Sequence, residues 1–401
     1  MMANGRGRRT DSKPARGTRP ANRRELILDA AEDLFYRNGF ANVSMIEIGD
    51  AVEIGPSALY RHFGSKRELL ATVVGDALDS TEKMLAASDP RPGQLAANIA
   101  TEMLAHRSVG VLWRRESRNL APDTRTAFQN QVRDIGSSLA RMIITARPDV
   151  GPAEADLLGW CALGVATSIS FHGLKLPDGE FARLLAGLVA TVIGFDMPKL
   201  IESPTHDASR STTMASGPSR REALLTAAAR LFADQGFPNV GIEDIGAAVG
   251  IAGPSIYNHF ESKADILVAI IDRGNAWLRM DMSRGLGRAD GAVDGLRRLL
   301  GSYTDFAWEF PPVVHLLITE IVQLPAEQQR RMRAAQRDYI AEWVHLLQSV
   351  HPEWDPTSAR IRVQAALNMI NDIALMPHLH RYANLAPSLI DIGTNLLTER
   401  I

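Results

Sequence analysis

Residues 24–70 read RELILDAAEDLFYRNGFANVSMIEIGDAVEIGPSALYRHFGSKRELL, and residues 221–267 read REALLTAAARLFADQGFPNVGIEDIGAAVGIAGPSIYNHFESKADIL. The two align without a gap at a constant offset of 197, with 22 identities in 47 positions. Composition alone does not produce such a match, so the chain contains a duplicated domain. A weaker match continues at an offset of 204, where Val109, Leu112, Glu116, Leu120, Arg133 and Asp134 meet Val313, Leu316, Glu320, Leu324, Arg337 and Asp338. The repeat is therefore a whole unit of about 180–200 residues, which agrees with the two or more domains that 401 residues predict. Between the units, residues 202–219 hold five Ser, three Thr and two Pro, the composition of a flexible linker. Fully extended, they reach roughly 60 Å, enough for the units to lie side by side.

Within the first copy, Ile27, Ala30, Ala31, Leu34 and Phe35 recur on one face of a helix, and Gly39 is placed to end it as a left-handed cap. Gly236 repeats that feature. Ser44-Met45-Ile46-Glu47 is a capping box that opens a second, short helix through Val52. A turn at Glu53-Ile54-Gly55 follows, and Pro56 suits the first turn of a third helix, where a missing N–H costs nothing. Leu59 and Phe63, four apart, point inward, which leaves Ser57, Tyr60 and Arg61 outward. Ser65 caps the next helix. Short helix, tight turn, second short helix with a polar face is helix-turn-helix geometry. Neither unit shows sustained alternation of period two, so the expected fold class is all-α.

At these residues the sequence resembles the tetracycline-repressor (TetR) family of bacterial regulators. The resemblance rests on Leu34-Phe35…Gly39-Phe40, Ile48 and Leu59-Tyr60-Arg61-His62-Phe63-Gly64-Ser65-Lys66. The second copy supplies Leu231-Phe232…Gly236-Phe237, Ile245 and Ile256-Tyr257-Asn258-His259-Phe260-Glu261-Ser262-Lys263. It implies two tandem TetR-like units, each a three-helix head followed by an α-helical bundle for ligand binding and dimerisation. It further implies a third helix in the major groove, with the tyrosine, the histidine and the lysine of helix four near phosphates. The DNA-binding set carried over is Ser44, Pro56, Ser57, Ala58, Tyr60, Arg61, His62 and Lys66, with Gly253, Pro254, Ser255, Tyr257, Asn258, His259 and Lys263 in the second head. The organisation that follows is a basic arm at 1–23, heads at 24–70 and 220–267, effector and dimerisation domains at 71–201 and 268–401, and the linker at 202–219.

The heads differ where sequence is read. Gly241 stands in the place of Ser44 and loses a side-chain cap, while Pro254 lies one residue nearer its tyrosine than Pro56 does. Arg61 is answered by Asn258, and Arg and Asn favour guanine and adenine respectively at base edges. One chain is thus expected to form a pseudo-dimer whose heads read unlike half-sites. The rivals are a homodimer of tandem chains, with four heads or one retired head per chain, and an interaction protein that no longer binds DNA.

The carboxy-terminal halves carry aromatic candidates for effector cavities: Trp113, Phe128, Trp160, Phe171 and His172 in one unit. Trp277, Tyr303, Phe306, Trp308, His315, Tyr339 and Trp343 are those of the other. In the resembled family such an effector is small and hydrophobic or amphipathic, and no cofactor is expected. Residues 156–172 and 359–376 are apolar with small residues, which suits them to an interface between units or between chains. The sequence contains no G-x-G-x-x-G, Walker loop, G-x-S-x-G or H-E-x-x-H. Cys161 sits among apolar neighbours as a buried thiol, and His378 with His380 lacks nearby acids for a metal.

The whole-chain charge of −2 conceals its placement. Residues 1–24 hold eight Lys and Arg against Asp11, a segment suited to a solvated tail or to a basic arm on phosphates or in a minor groove. It has no apolar core of a secretory signal, and the longest uncharged stretch, 157–174, is too short and too interrupted by small polar residues to span a bilayer. A single cysteine fits a reducing cytoplasm. The expectation is a cytoplasmic, ligand-responsive regulator, a repressor as is most common in the resembled family, acting on a double-stranded DNA operator away from any membrane.

Overall fold

A computed structural model describes residues 22–203 and 219–400. Among them the chain is α-helical, without a β-strand; one isolated bridge joins Glu202 to Tyr382. The first unit runs α1 (Arg23–Asn38), α2 (Met45–Ala51), α3 (Pro56–His62), α4 (Lys66–Ala87), α5 (Pro92–Ala105), α6 (Val109–Val111), α7 (Pro122–Ala146), α8 (Pro152–Thr167) and α9 (Asp178–Ile193). The second runs α10 (Arg220–Gln235), α11 (Ile242–Ala248), a 3₁₀ stretch at Gly253–Asn258, α12 (Lys263–Leu286), α13 (Ala292–Glu309), α14 (Pro311–Thr319), α15 (Ala326–Val350), α16 (Pro356–Ile373) and α17 (Leu385–Thr398). The basic arm expected over 1–23 lies outside the described residues except for its last two, and Arg23 already opens α1.

Each head closes on the same seven core positions. Ile27, Ala31, Phe35, Val43, Ile48, Leu59 and Phe63 are buried in one, and Leu224, Ala228, Phe232, Val240, Ile245, Ile256 and Phe260, each 197 further on, in the other. The helices that carry them begin as the sequence dictates. Ser44 accepts from Glu47 N–H at 3.2 Å while Glu47 Oε2 accepts from Ser44 N–H at 2.6 Å, a complete capping box. Gly241 lacks the side chain, so α11 keeps only half of the box, Asp244 Oδ2 accepting from Gly241 N–H at 2.7 Å.

Two backbone expectations are corrected. Gly39 and Gly236 end their helices at φ of +82° and +86°, but with ψ near 147° and 144°, not in the left-handed helical basin. Only glycine occupies that extended, positive-φ region comfortably, so the cap is more demanding than a left-handed one. The second head's third element is 3₁₀, not α: Ser255 N–H bonds to Ala252 O at 2.9 Å and His259 N–H to Ile256 O at 2.8 Å. Pro254 explains it, because the residue before a proline is pushed out of the helical region, and here that residue is Gly253, where an α-helix would begin.

The bundles meet through the helices the composition had marked. α8 packs along α16, and α9 touches α17. Close approach is written into small residues: a Cβ on Gly164 would fall 3.0 Å from Met369 Cα. Asn368 Nδ2 donates to Gly164 O at 2.7 Å across this seam, and Arg114 of the first unit is ion-paired with Asp372 of the second. His378, weighed above as a metal ligand, instead meets Asp156 of the other unit at 3.0 Å. The stretch after α9 is also fastened to the second unit, with Ser203 N–H on Arg381 O and Ala383 N–H on Ile201 O, both at 2.8 Å. The linker's first two residues, 202 and 203, are therefore anchored, and 204–218 lie outside the described residues. Cys161 is fully buried in α8, and burial raises its thiol pKa far above the usual range.

Candidate nucleic-acid interface and the cavity behind it

On α3, Leu59 and Phe63 face the core, and the opposite face presents Ser57, Tyr60, Arg61 and His62 to solvent, with Ala58 half-buried. The second head presents Pro254, Tyr257, Asn258 and His259, with Ser255 half-buried. Tyr60 and Tyr257 are 53% and 56% exposed, at matching positions of the two heads. Pro56 opens α3 as its first residue. Gly253, one residue before its proline, is buried, and a Cβ on it would come 3.2 Å from Glu243 Oε1 of α11.

Lys66 and Lys263, expected near phosphates, have internal work. Lys66 Nζ donates to Phe40 O and Val43 O, both at 2.6 Å, and lies 4.2 Å over the Phe40 ring. Lys263 repeats this with Phe237 O at 2.7 Å, Val240 O at 2.8 Å and the Phe237 ring at 4.5 Å. Each ammonium ties the turn after the first helix to the start of the fourth. Burial lowers both pKa values, against the pull of Glu116 and Glu47 on Lys66 and of Asp244 on Lys263. Arg24 and Arg221 similarly cover Phe63 and Phe260 at 5.0 Å.

The segment after α6 holds the first head. Glu116 Oε1 accepts from Phe40 N–H at 3.1 Å, and Arg115 donates to Tyr36 O at 3.0 Å. Its counterpart in the second unit, Glu320, is fully buried and takes a different partner, Arg118 from the first unit. That guanidinium also lies against the second head, since a Cβ on Gly236 would fall 2.5 Å from Arg118 Nε. Sequence register had aligned Glu116 with Glu320, but nothing local revealed that their partners lie on the same unit.

Behind the heads is a cavity of about 720 Å³, within the size range of small-molecule sites. Of the aromatic candidates, Phe171, His172, Tyr303 and Tyr339 line it. His315 borders a much smaller pocket, while Trp343 and Phe306 are buried in the core. The arginines at its edge, Arg279, Arg333, Arg337 and Arg360, carry no sequence signal, since they are spread over three helices and share no local motif. Among the described residues there is no group of three or more His, Cys, Asp or Glu arranged to hold a metal, and no helix long and apolar enough to cross a membrane.

The domain shared by bacterial regulatory proteins of the tetR family matches this chain twice, over residues 27–73 and 224–270. The HTH-type transcriptional activator FasR of Mycolicibacterium smegmatis is 31% identical over 21% of this chain and 33% of its own length. The HTH-type transcriptional repressor KstR2 of the same organism is 30% identical over 32% of this chain and 64% of its own. The chain thus spans about a third of one relative and just under two thirds of the other. Among solved structures, a TetR-family transcriptional regulator from Bordetella parapertussis is 20% identical, covering 46% of this chain and 96% of that one with a TM-score of 0.42.

Proposed function

From two tandem TetR-like units in one chain, we propose a ligand-responsive, DNA-binding transcriptional repressor in which the units form an intramolecular pseudo-dimer. The observation that carries this reading is the pair of matching exposed faces, Tyr60 with His62 and Tyr257 with His259, on heads whose bundles pack against each other through α8 and α16. Regulators that dimerise read palindromes because protein and operator share a two-fold axis. Here the axis is broken at Arg61 and Asn258 and by the 3₁₀ turn of the second head, which favours unlike half-sites.

Tyr60, Tyr257 and the two histidines serve phosphates in this proposal; Ser57, Arg61, Ser255 and Asn258 are the readers, and Ser44 adds a backbone contact to the first head alone. An effector in the cavity releases DNA by binding one arrangement of the heads more tightly than the other. The test is selection of genomic DNA on the purified full chain, followed by sedimentation of the complex. One chain per operator with an imperfect palindrome is the expected outcome. Two chains per operator overturns the pseudo-dimer, and failure to enrich any sequence overturns DNA recognition.

A further inference from the structure

We propose that the second unit holds the chain's effector site, that its ligand is an amphipathic anion, and that the corresponding space in the first unit is closed by Trp160. The proposal rests on reading the cavity as an effector site and adds to that reading the ligand's charge and the number of sites per chain. The cavity's lining includes six arginines and no Asp or Glu. Two of the six are already engaged, Arg37 with Asp33 and Arg115 with Glu116. Arg279, Arg333 and Arg337 stand exposed at the rim and Arg360 is half-buried beside them. Four guanidiniums around one opening, with no carboxylate in the lining to offset them, repel a cation and attract a carboxylate or phosphate.

The interior is of a different character. Leu278, Val314, Leu317, Ile318, Ile340 and Leu367 make an apolar wall suited to a hydrocarbon body. At the far side His172 accepts from Leu174 N–H at 3.3 Å through Nδ1, which leaves Nε2 as the N–H. That Nε2 is buried without a hydrogen-bond partner among the described residues. An unsatisfied buried polar group is costly, and an acceptor on a ligand held by this lining residue would satisfy it. An amphipathic anion meets all three features: charged end at the rim, chain along the wall, and an acceptor for His172.

The matching wall of the first unit is built from different residues. Helix starts keep their offsets, 197 from Lys66 to Lys263 and 204 from Pro122 to Ala326 and from Pro152 to Pro356. The wall residues Ile340 and Gln364 therefore correspond to Gly136 and Trp160. The indole presses so closely that a Cβ on Gly136 would fall 2.4 Å from its Cζ2. The rim differs too: Arg279, Arg333 and Arg360 become Glu82, Gln129 and Asp156, and only Arg337 keeps its charge, as Arg133. The cavity on the second unit's bundle also takes nine lining residues from the first unit, among them His172 and Tyr36, which donates to Ser170 O at 3.0 Å. A single ligand thus contacts elements of both units.

Calorimetric titration of the full chain with dodecanoate, dodecyl phosphate, methyl dodecanoate and dodecyltrimethylammonium, below their micellar concentrations, tests this. The expected result is one anion per chain, bound about tenfold or more tightly than the neutral ester or the cation. The stronger of the two anions tells carboxylate from phosphate. Arg333→Gln with Arg337→Gln, at exposed positions, is expected to erase the preference and leave ester binding unchanged, and Gln364→Trp to block every probe. Two sites per chain, equal binding of anion and cation, or no anion bound overturns the proposal. DNA release is followed in parallel by anisotropy: anions that bind at one site without releasing DNA support the ligand chemistry and overturn the regulatory reading instead.

Discussion

Arg118, from the first unit, is ion-paired with Glu320, from the second, and rests against Gly236, where the first helix of the second head ends. The Glu320 side chain is fully buried, and the guanidinium that pairs with it comes from the other half of the chain. Removing one partner of a buried pair leaves the other uncompensated, at about 3–5 kcal/mol. Arg118→Ala is therefore expected to lower the urea midpoint sharply and Arg118→Ala with Glu320→Gln to recover much of it. Single and double variants of equal stability would show that the pair does not fasten the units.

Gly164 sets the spacing of the seam between α8 and α16, with Met369 Cα as its near neighbour. Gly164→Val forces the helices apart, and overpacking of this kind costs about 1–3 kcal/mol. The expected signature is a lower melting temperature and a wider small-angle scattering profile with helical content retained. An unchanged profile and melt would place the close contact elsewhere.

Lys66 is fixed by two carbonyls and an aromatic face inside the first head. Lys66→Met keeps an apolar stem over Phe40 but leaves Phe40 O and Val43 O without their donor, a loss of roughly 1–3 kcal/mol. Destabilisation of the head is expected to accompany any loss of DNA affinity. Unchanged stability with a salt slope reduced by about one would assign the ammonium to a phosphate instead.

Burial, and then the neighbouring Arg107, lowers the His172 pKa to about 3; burial with Arg118 and Arg114 does the same to His315. Unfolded imidazoles titrate near roughly 6.5, so between about pH 3 and 6.5 the unfolded chain binds more protons and stability falls as pH falls. Acidification to about pH 5 is expected to remove on the order of 1–2 kcal/mol per histidine. His172→Gln with His315→Gln should flatten that slope in urea titrations; an equally steep slope would trace the acid sensitivity to other groups.

Arg61 and Asn258 occupy matching exposed positions on heads that share their core. Exchanging them, as Arg61→Asn with Asn258→Arg, is expected to invert preference between half-sites, by about 1–3 kcal/mol at the base each one reads. Competition between the natural operator and its half-site-swapped version reads this out. No change in preference would mean that both residues serve only the backbone.

The sequence by itself determined the duplication, the helical class and the inward and outward faces of both heads, because each follows from local period, caps and a fixed register. Its departures within the heads were local as well: Gly39 and Gly236 end their helices with extended ψ instead of in the left-handed basin, and a proline shifted by one residue turned an α-helix into a 3₁₀ turn. The tertiary structure alone decided that Lys66 and Lys263 close their own heads, that Glu320 looks across to Arg118 whereas Glu116 holds Phe40, and that arginines from three helices rim one cavity. Those are meetings between residues distant in sequence, and no window of sequence holds both partners. The same is true of Trp160 and Gly136: in sequence they are an indole and a glycine 24 positions apart, and only packing makes one of them fill the space beside the other.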